Sequence, residues 1–308
     1  MLTVIGEALV DVVQREGEPQ RAHVGGSPLN VAVGLARLGH STSFIGRYGQ
    51  DPYGDLIEGH LRSNAVLTPW PADTGRTSVA AARLRPDGSA DYDFALDWDL
   101  PGLVEALPRL LAGTTLVHTG SIATMLDPGA EQVLAAIEHA RPAATIGFDP
   151  NCRPSIITDA VRAREQAERF AALADVVKAS DEDLAWLYPD RSLEESVAAW
   201  LELGPALVVV TRGAEGPWGL CRAGSTAVPG ARVDVVDTVG AGDSFMAALL
   251  SSVVDRGWDG SGRRDRLARL SVEELAEILR FATAAAGVTV SRAGANPPTR
   301  HEVPRSSP

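Results

Sequence analysis

The sequence predicts an α/β protein: a mainly parallel central sheet covered by helices on both faces, a three-layer sandwich, with a small β lid inserted in it. Three observations carry this. Strand-length apolar runs alternate with helical periodicity along most of the chain, the pattern of βαβ units. One run, "ALVVVTRG" from Ala206, is strongly apolar, as strands buried on both faces are. The alternation breaks once, between Thr68 and Leu100, where two extended runs flank the turn signal "PDG" (Pro86–Gly88).

The elements follow in order. "LTVIGEALV" reads as a strand, and "PLNVAVGLARLG" as a helix that stops at Gly39. "STSFIG" is a strand, and "DPYGDLIEGHLRSN" a helix opened by Asp51 and Pro52. The hairpin "TSVAAARLRPDGSADYDFAL" comes next, and with residues 11–24 it forms the expected lid, about 11–24 and 70–98. Strand and helix then resume as "TTLVHTG", "PGAEQVLAAIEHA", "ATIGFDP", "DAVRAREQAERFAALA" and "DVVKAS". "DEDLAWLY" and "SLEESVAAWLEL" are helical; "GPWGLCRAGSTAVPG" is a second hairpin. A helix after Asp243 and a long apolar one, "SVEELAEILRFATAAAGVTV", close the pattern. One domain over 1–308 is expected, with only the tail "RHEVPRSSP" loose.

Composition narrows the function. Of 308 residues 45% are hydrophobic and 22% charged, and 28 Lys and Arg against 40 Asp and Glu leave a net charge of −12. Nucleic-acid binding needs clustered Lys and Arg, so it is not expected. The Arg-rich stretch Arg256–Arg269 is interrupted by Asp and reads as a solvated loop. No run approaches the ~18 apolar residues of a membrane span. The N-terminal run contains Glu7 and Asp11 and lacks a basic leader, and the two cysteines, Cys152 and Cys221, have no metal or redox spacing. A cytoplasmic protein with buried thiols is the expectation.

Ligands of an open parallel sheet bind at the carboxyl ends of its strands. Three polar clusters should meet there, each after an apolar strand: "GEALVD", "FDPNCRP" and "DTVGAGD". In the last, Gly240, Ala241 and Gly242 lead into an apolar helix, so their N–H groups form an anion site at its N-terminus. Asp243 beside them can take a proton from a hydroxyl, although the same residues also suit a capped glycine turn. The cluster is neither a Walker A loop, since no Lys-Ser/Thr follows, nor GxGxxG. The first strand–helix turn also lacks GxGxxG and is acidic, which argues against a nicotinamide oxidoreductase.

"DTVGAGDSFMAALL" resembles the C-terminal signature of the ribokinase-like (PfkB) carbohydrate kinases, and "GGSPLNVAVGLARLG" (Gly25–Gly39) the N-terminal one. "GEALVD", "FDPNCRP", "VVKASDED" and "VVVTRGAEG" match as well, so the resemblance covers nearly the whole chain. It implies ATP-dependent phosphorylation of a sugar hydroxyl, with Asp243 as base and Gly240, Ala241 and Gly242 as anion hole. Asp11, Gly25, Gly26 and Asn30 would hold the sugar. Arg153 would steady a phosphate or the sugar, or simply form a surface ion pair. Arg76, Tyr92 and Phe94 of the lid are candidates to face the sugar, and lids of this kind pair between subunits, so a homodimer is expected. The nucleotide side would use Lys178, Thr211, Gly213 and Gly216. Ala282–Gly287 would supply a flat wall for adenine, or only helix packing.

Mg²⁺ should accompany ATP, organised through water by Asp183, which stands where the family has Glu. Asp237 and the carbonyls of Val239 and Gly294 are candidates for a monovalent cation such as K⁺. "GGSPLN" resembles bacterial fructokinases, where phosphosugar kinases carry Lys-Gly. Fructose is therefore the expected substrate, with 2-keto-3-deoxygluconate next and ribose or nucleosides third. A non-catalytic sugar sensor is the alternative of a different class.

Overall fold

In the computed structural model the described residues are 1–15, 19–84 and 90–304. In chain order the elements are β1 (Leu2–Ile5), β2 (Leu9–Arg15), β3 (Arg21–Gly25), α1 (Ser27–Arg37), β4 (Thr42–Ile45), α2 (Pro52–Ser63), β5 (Ser78–Leu84), β6 (Ala90–Ala95), α3 (Leu103–Leu110), β7 (Leu116–Gly120), α4 (Gly129–Ala140), β8 (Thr145–Asp149), α5 (Ala160–Leu173), β9 (Val176–Ser180), α6 (Asp181–Leu187), α7 (Leu193–Glu202), β10 (Leu207–Thr211), β11 (Trp218–Cys221), β12 (Gly224–Ala227), α8 (Ala241–Asp255), α9 (Arg264–Leu267) and α10 (Val272–Val290).

The large sheet runs β12-β11-β10-β9-β8-β7-β1-β4, parallel from β10 to β4 and antiparallel at the β11–β12 edge. Side chains alternate across a strand, so each strand feeds two cores. Leu207 and Val209 of β10 pack with α1, α8 and α10, whereas Val208 and Val210 pack with α4, α5 and α7. That is why the run is apolar at every position from Leu207 to Val210. Helix α8 is apolar all round and is buried from Asp243 to Val253, as such a helix must be.

The lid is a four-stranded sheet, β3-β2-β5-β6, with β2 and β5 parallel and the outer pairs antiparallel. Residues 70–77 of the expected lid are not strand; they form the strap that ties it down. Arg47, 6% exposed, holds that strap: its Nε is 2.9 Å from Asp73, its Nη2 is 2.9 Å from Asp97, and its Nη1 donates to the Arg76 carbonyl. Asp51, the cap of α2, accepts from both the amide and the hydroxyl of Thr77. The "PDG" turn, residues 86–88, lies outside the described residues.

Four expectations need correction. Helix α3 was not foreseen, because Pro108 interrupts its pattern. Arg256–Arg269 is not a solvated loop: Trp258 and Leu267 are buried, and Arg264 donates to Asp175 and to the carbonyls of Arg141 and Ala144. Arg263, Asp265, Arg266 and Arg269 are exposed, so the stretch is a packed segment with a charged outer face. The tail is held as far as Pro304, since Val303 is buried and Glu302 accepts from Arg292 and Thr299; residues 305–308 lie outside the described residues. Finally, no strand precedes "DTVGAGD". The amides of Val236 and Asp237 donate to the carbonyl of Val290 at the end of α10, which replaces ladder pairing, and Val235 and Val236 are 64% and 65% exposed.

Candidate active site

Two helix N-termini converge on one carboxylate. Gly240 caps α8 in the left-handed region (φ 75°), and a Cβ there would fall 2.6 Å from that of Ala295. The chain then enters α8 with Ala241, Gly242 and Asp243 in its first turn. Gly26 opens α1 at φ 112°, pressed against the Glu7 carbonyl so closely that a Cβ would come within 2.5 Å of it. Ser27 and Asn30 are thereby aimed at Asp243. Its Oδ1 accepts from the Ser27 hydroxyl at 2.6 Å and its Oδ2 from the Asn30 amide at 2.8 Å. Each oxygen keeps a lone pair for a further proton or donor.

Beside the N-terminus of α8 lies a buried charged cluster. Lys178, 3% exposed on β9, donates to Asp149 Oδ2 at 2.8 Å, and a Cβ on Gly242 would be 3.1 Å from its Nζ. Burial works against the ammonium charge, but Asp149 and Asp183 outweigh it and hold the Lys178 pKa above the ordinary lysine value. Burial lifts the Asp149 carboxyl to about 6, with Lys178 opposing. Asp183 is committed elsewhere: its oxygens accept from the amides of Cys152 and Ser180, the second closing the capping box of α6. Cys152 and Cys221 are buried free thiols.

On the sugar side Asp11, Gly25, Gly26, Asn30 and Arg153 come together. The Asp11 carboxylate overlies Gly25, where a Cβ would be 2.3 Å from Oδ2. Arg153, anchored on the carbonyl and side chain of Asn151, places its charge near both Asp11 and Glu7. Glu7 is 4% exposed, its carboxyl lifted by burial to about 7, and it accepts from the Ala123 amide. The lid candidates are less closely bound to this cluster. Arg76 is exposed, and Phe94 stands half-buried on β6 opposite Ala80. The side chain of Tyr92 lies outside the described residues.

On the other side of α8, Thr211 ends β10, Gly213 opens a short turn, and Gly216 adopts φ 90° against the Val228 carbonyl. Beyond them a cavity of about 450 Å³ lies between residues 228–233 and α10. Thr283, Ala284 and Gly287 line it, while Ala282 and Ala285 turn into the core, so only part of the small-residue run forms a wall. Asp237 joins the expected cation residues: its oxygens accept from the amides of Val239 and Gly294, and those bonds hold its carboxyl below the usual range.

Ser27, Glu7 and Asp149 went unselected in the sequence, though each sits inside a quoted motif. The signal available was the motif itself, since a polar residue beside paired glycines or at a strand end belongs to the same cluster as its neighbours.

A mainly parallel sheet with a glycine-rich helix N-terminus, a buried carboxylate at its mouth and a smaller second sheet as lid has the form of an ATP-dependent sugar kinase of the ribokinase-like class. The chain belongs to the pfkB family of carbohydrate kinases, whose pattern matches residues 1–302. It is 36% identical to a fructokinase of Rhizobium leguminosarum bv. trifolii, over 82% of this chain and 79% of that one. It is 35% identical to the Salmonella typhimurium fructokinase, over 82% and 84%. Among solved structures it resembles a Xylella fastidiosa fructokinase with bound ATP (TM-score 0.88, 28% identity, 98% and 96% covered). It also resembles a Vibrio cholerae fructokinase double mutant in a form with bound fructose, ADP and potassium ion (TM-score 0.77, 26% identity, 96% and 93% covered).

Proposed function

We propose that the protein transfers the terminal phosphoryl group of ATP to fructose, giving fructose 6-phosphate. The observation that carries this is the meeting of both signatures on one group: Ser27 and Asn30, from the segment that begins "GGSPLN", hold the two oxygens of Asp243. The relatives named as fructokinases support the choice of sugar.

Asp243 accepts the hydroxyl proton as the sugar oxygen bonds to phosphorus and the bond to the ADP oxygen breaks. The proton is held by the carboxylate that Ser27 and Asn30 have oriented. The N–H groups at the start of α8 face the charge on the transferring oxygens, where fixed donors act more strongly than water does. Asp11, Asn30 and Arg153 hold the polyol, and the cavity beside α10, lined by apolar and small side chains, takes adenine.

Magnesium would neutralise phosphate charge and is held chiefly by phosphates and waters. Asp149 Oδ1, buried without a hydrogen-bond partner among the described residues, is an acceptor for such a water, beside Asp183, whose oxygens already accept two amide bonds. Asp237 and the carbonyls of Val239 and Gly294 form the monovalent-cation candidate. The lid closes over the sugar and pairs with a second subunit, and ATP as donor places the reaction in the cytoplasm.

Arg153 favours one second reading, 2-keto-3-deoxygluconate, whose carboxylate a guanidinium suits. ADP release with ATP and Mg²⁺ is measured across fructose, 2-keto-3-deoxygluconate, ribose, glucose, adenosine and fructose 6-phosphate. A preference for fructose is expected. Preference for the keto acid would transfer the assignment to it, and sugar binding without turnover on any would replace the kinase by a sensor.

A further inference from the structure

We infer that Arg37, at the far end of α1, is a positioning residue for the anion hole: it holds the loop 294–297, and that loop holds Gly240. This rests on the reading of the α8 N-terminus as anion hole and deepens it. The helices that carry the two glycine signatures are then tied at a second point besides Asp243.

Arg37 stands ten residues beyond Ser27 on α1, about 15 Å along the helix axis, so it acts on the reacting groups only through others. Its guanidinium is a planar fork of five donors and is half-buried. Nε donates to the side-chain oxygen of Asn64, the cap of α2, at 2.7 Å. Nη1 donates to the side-chain oxygen of Asn296 at 2.5 Å and to the Pro297 carbonyl at 2.7 Å. The Arg37 carbonyl accepts from the Arg300 amide at 3.1 Å. Side chain and backbone of one residue therefore pin the same segment.

The other end of that segment meets the site. Gly294 adopts φ 68°, its amide donates to Asp237 at 2.8 Å, and its carbonyl accepts from the Asn296 amide at 2.8 Å. Between these two residues, Ala295 packs on Gly240: a Cβ on Gly240 would lie 2.6 Å from the Ala295 Cβ and 2.8 Å from its Cα. Gly240 is the left-handed residue from which the first amides of α8 leave. Pro297 is buried beside Gly34, where a Cβ would be 3.8 Å from Pro297 and 2.7 Å from Ala247 of α8. The loop is thus wedged between α1 and α8, and a shift of Asn296 is passed to Gly240 through one residue.

The destination of the charge points the same way. The tail beyond the loop has its own anchor, since Glu302 accepts from Arg292 and Thr299. The hydrogen bonds of Arg37 instead go to three neutral oxygens, two of them on the residues that follow Ala295.

Arg37→Met keeps much of the apolar stem and removes the fork. Its kcat is expected to fall about 20-fold, short of the roughly 100-fold that an ångström of misplacement costs, while the sugar Kd measured without nucleotide stays within about 3-fold. Arg37→Lys should lose about as much, because a single ammonium cannot span these oxygens as a fork does. Asn296→Ala removes the other side of the tie and should lower kcat about 5-fold, which keeps the test decisive if an Arg37 variant fails to fold. Asn64→Ala breaks only the bond at Nε; it should lower the melting temperature and leave kcat within about 3-fold, since distant effects do not couple. The inference is overturned if Arg37→Met or Asn296→Ala folds and keeps the parent kcat, if sugar Kd weakens as much as kcat falls, or if Asn64→Ala loses kcat as Arg37→Met does. Gly240→Ala, assayed alongside, separates the cases: if that variant turns over normally, the underlying anion-hole reading has failed instead.

Discussion

Helix α8 and the lid sheet form opposite sides of the same site and are built in opposite ways. Eleven residues of α8 are buried, Asp243–Val253, and it lies between α1 and α10 under the large sheet. The lid is four strands with solvent-exposed positions on β2, β3 and β6, such as Asp11, His23 and Asp93, and it is joined to the body by one apolar face, with Val10 and Val12 buried in the core, and by polar contacts through Arg47 and Asp51. The proposed base and anion hole sit on the half that is buried throughout. The groups proposed to discriminate among sugars border the half that is exposed on one face. Chemistry that needs positions held within fractions of an ångström belongs on packed elements, and closure belongs on elements whose local stability is low.

The largest expected effect breaks the α8 side at its one reacting group. Asp243→Asn should lower kcat about 1,000-fold with the sugar KM changed only a few-fold, as steady-state kinetics will show. A variant keeping more than a few per cent of kcat would refute the base. Next, Leu249→Ala deletes buried side chain from α8 and should cost about 3 kcal/mol, read as a lower urea midpoint. Glu7 marks the border between the halves. Burial raises its pKa from 4.5 to about 7, so the folded state binds the proton more tightly. Its protonation favours folding fully below about pH 4.5, and this contribution is lost as pH rises to about 7, a span worth roughly 3 kcal/mol at most. Glu7→Gln should flatten that fall when urea unfolding is compared at pH 4.5 and pH 8; an unchanged slope removes Glu7 from the account.

The smallest stability effect falls on the lid. Phe94→Ala should shift stability by less than about 1 kcal/mol yet raise the sugar KM several-fold. If it lowered the melting temperature as Leu249→Ala does, the contrast between the two halves would fail. Light scattering bears on the same sheet: a monomer at assay concentration would refute pairing of lids between subunits.

Both glycine signatures were legible because they are local. Gly26 and Gly240 are needed for backbone conformations and contacts that a side chain forbids, and such needs leave a mark at one place in the chain. The strands of the large sheet were legible for the same reason, as β10 shows its two-sided burial in four consecutive residues. The failures were non-local. The packing of Trp258 and Leu267 depends on other elements, and Arg264 finds Asp175 at a distance of 89 residues. The valines before Asp237 carry strand character, yet their amides are met by the end of a helix, so no ladder forms there.

The sequence by itself determined the alternation of elements, the class of reaction and the two glycine-rich signatures, since hydrophobic period, glycine conformation and a motif of consecutive residues are properties of short segments. Only the tertiary structure decided what orients the Asp243 carboxylate and what lies under the N-terminus of α8. Ser27 reaches Asp243 across 216 residues, and Asp149 reaches Lys178 from a neighbouring strand. A hydrogen bond depends on distances of a few ångströms in space, and chain separation says nothing about those until the sheet and the two facing helix ends have packed.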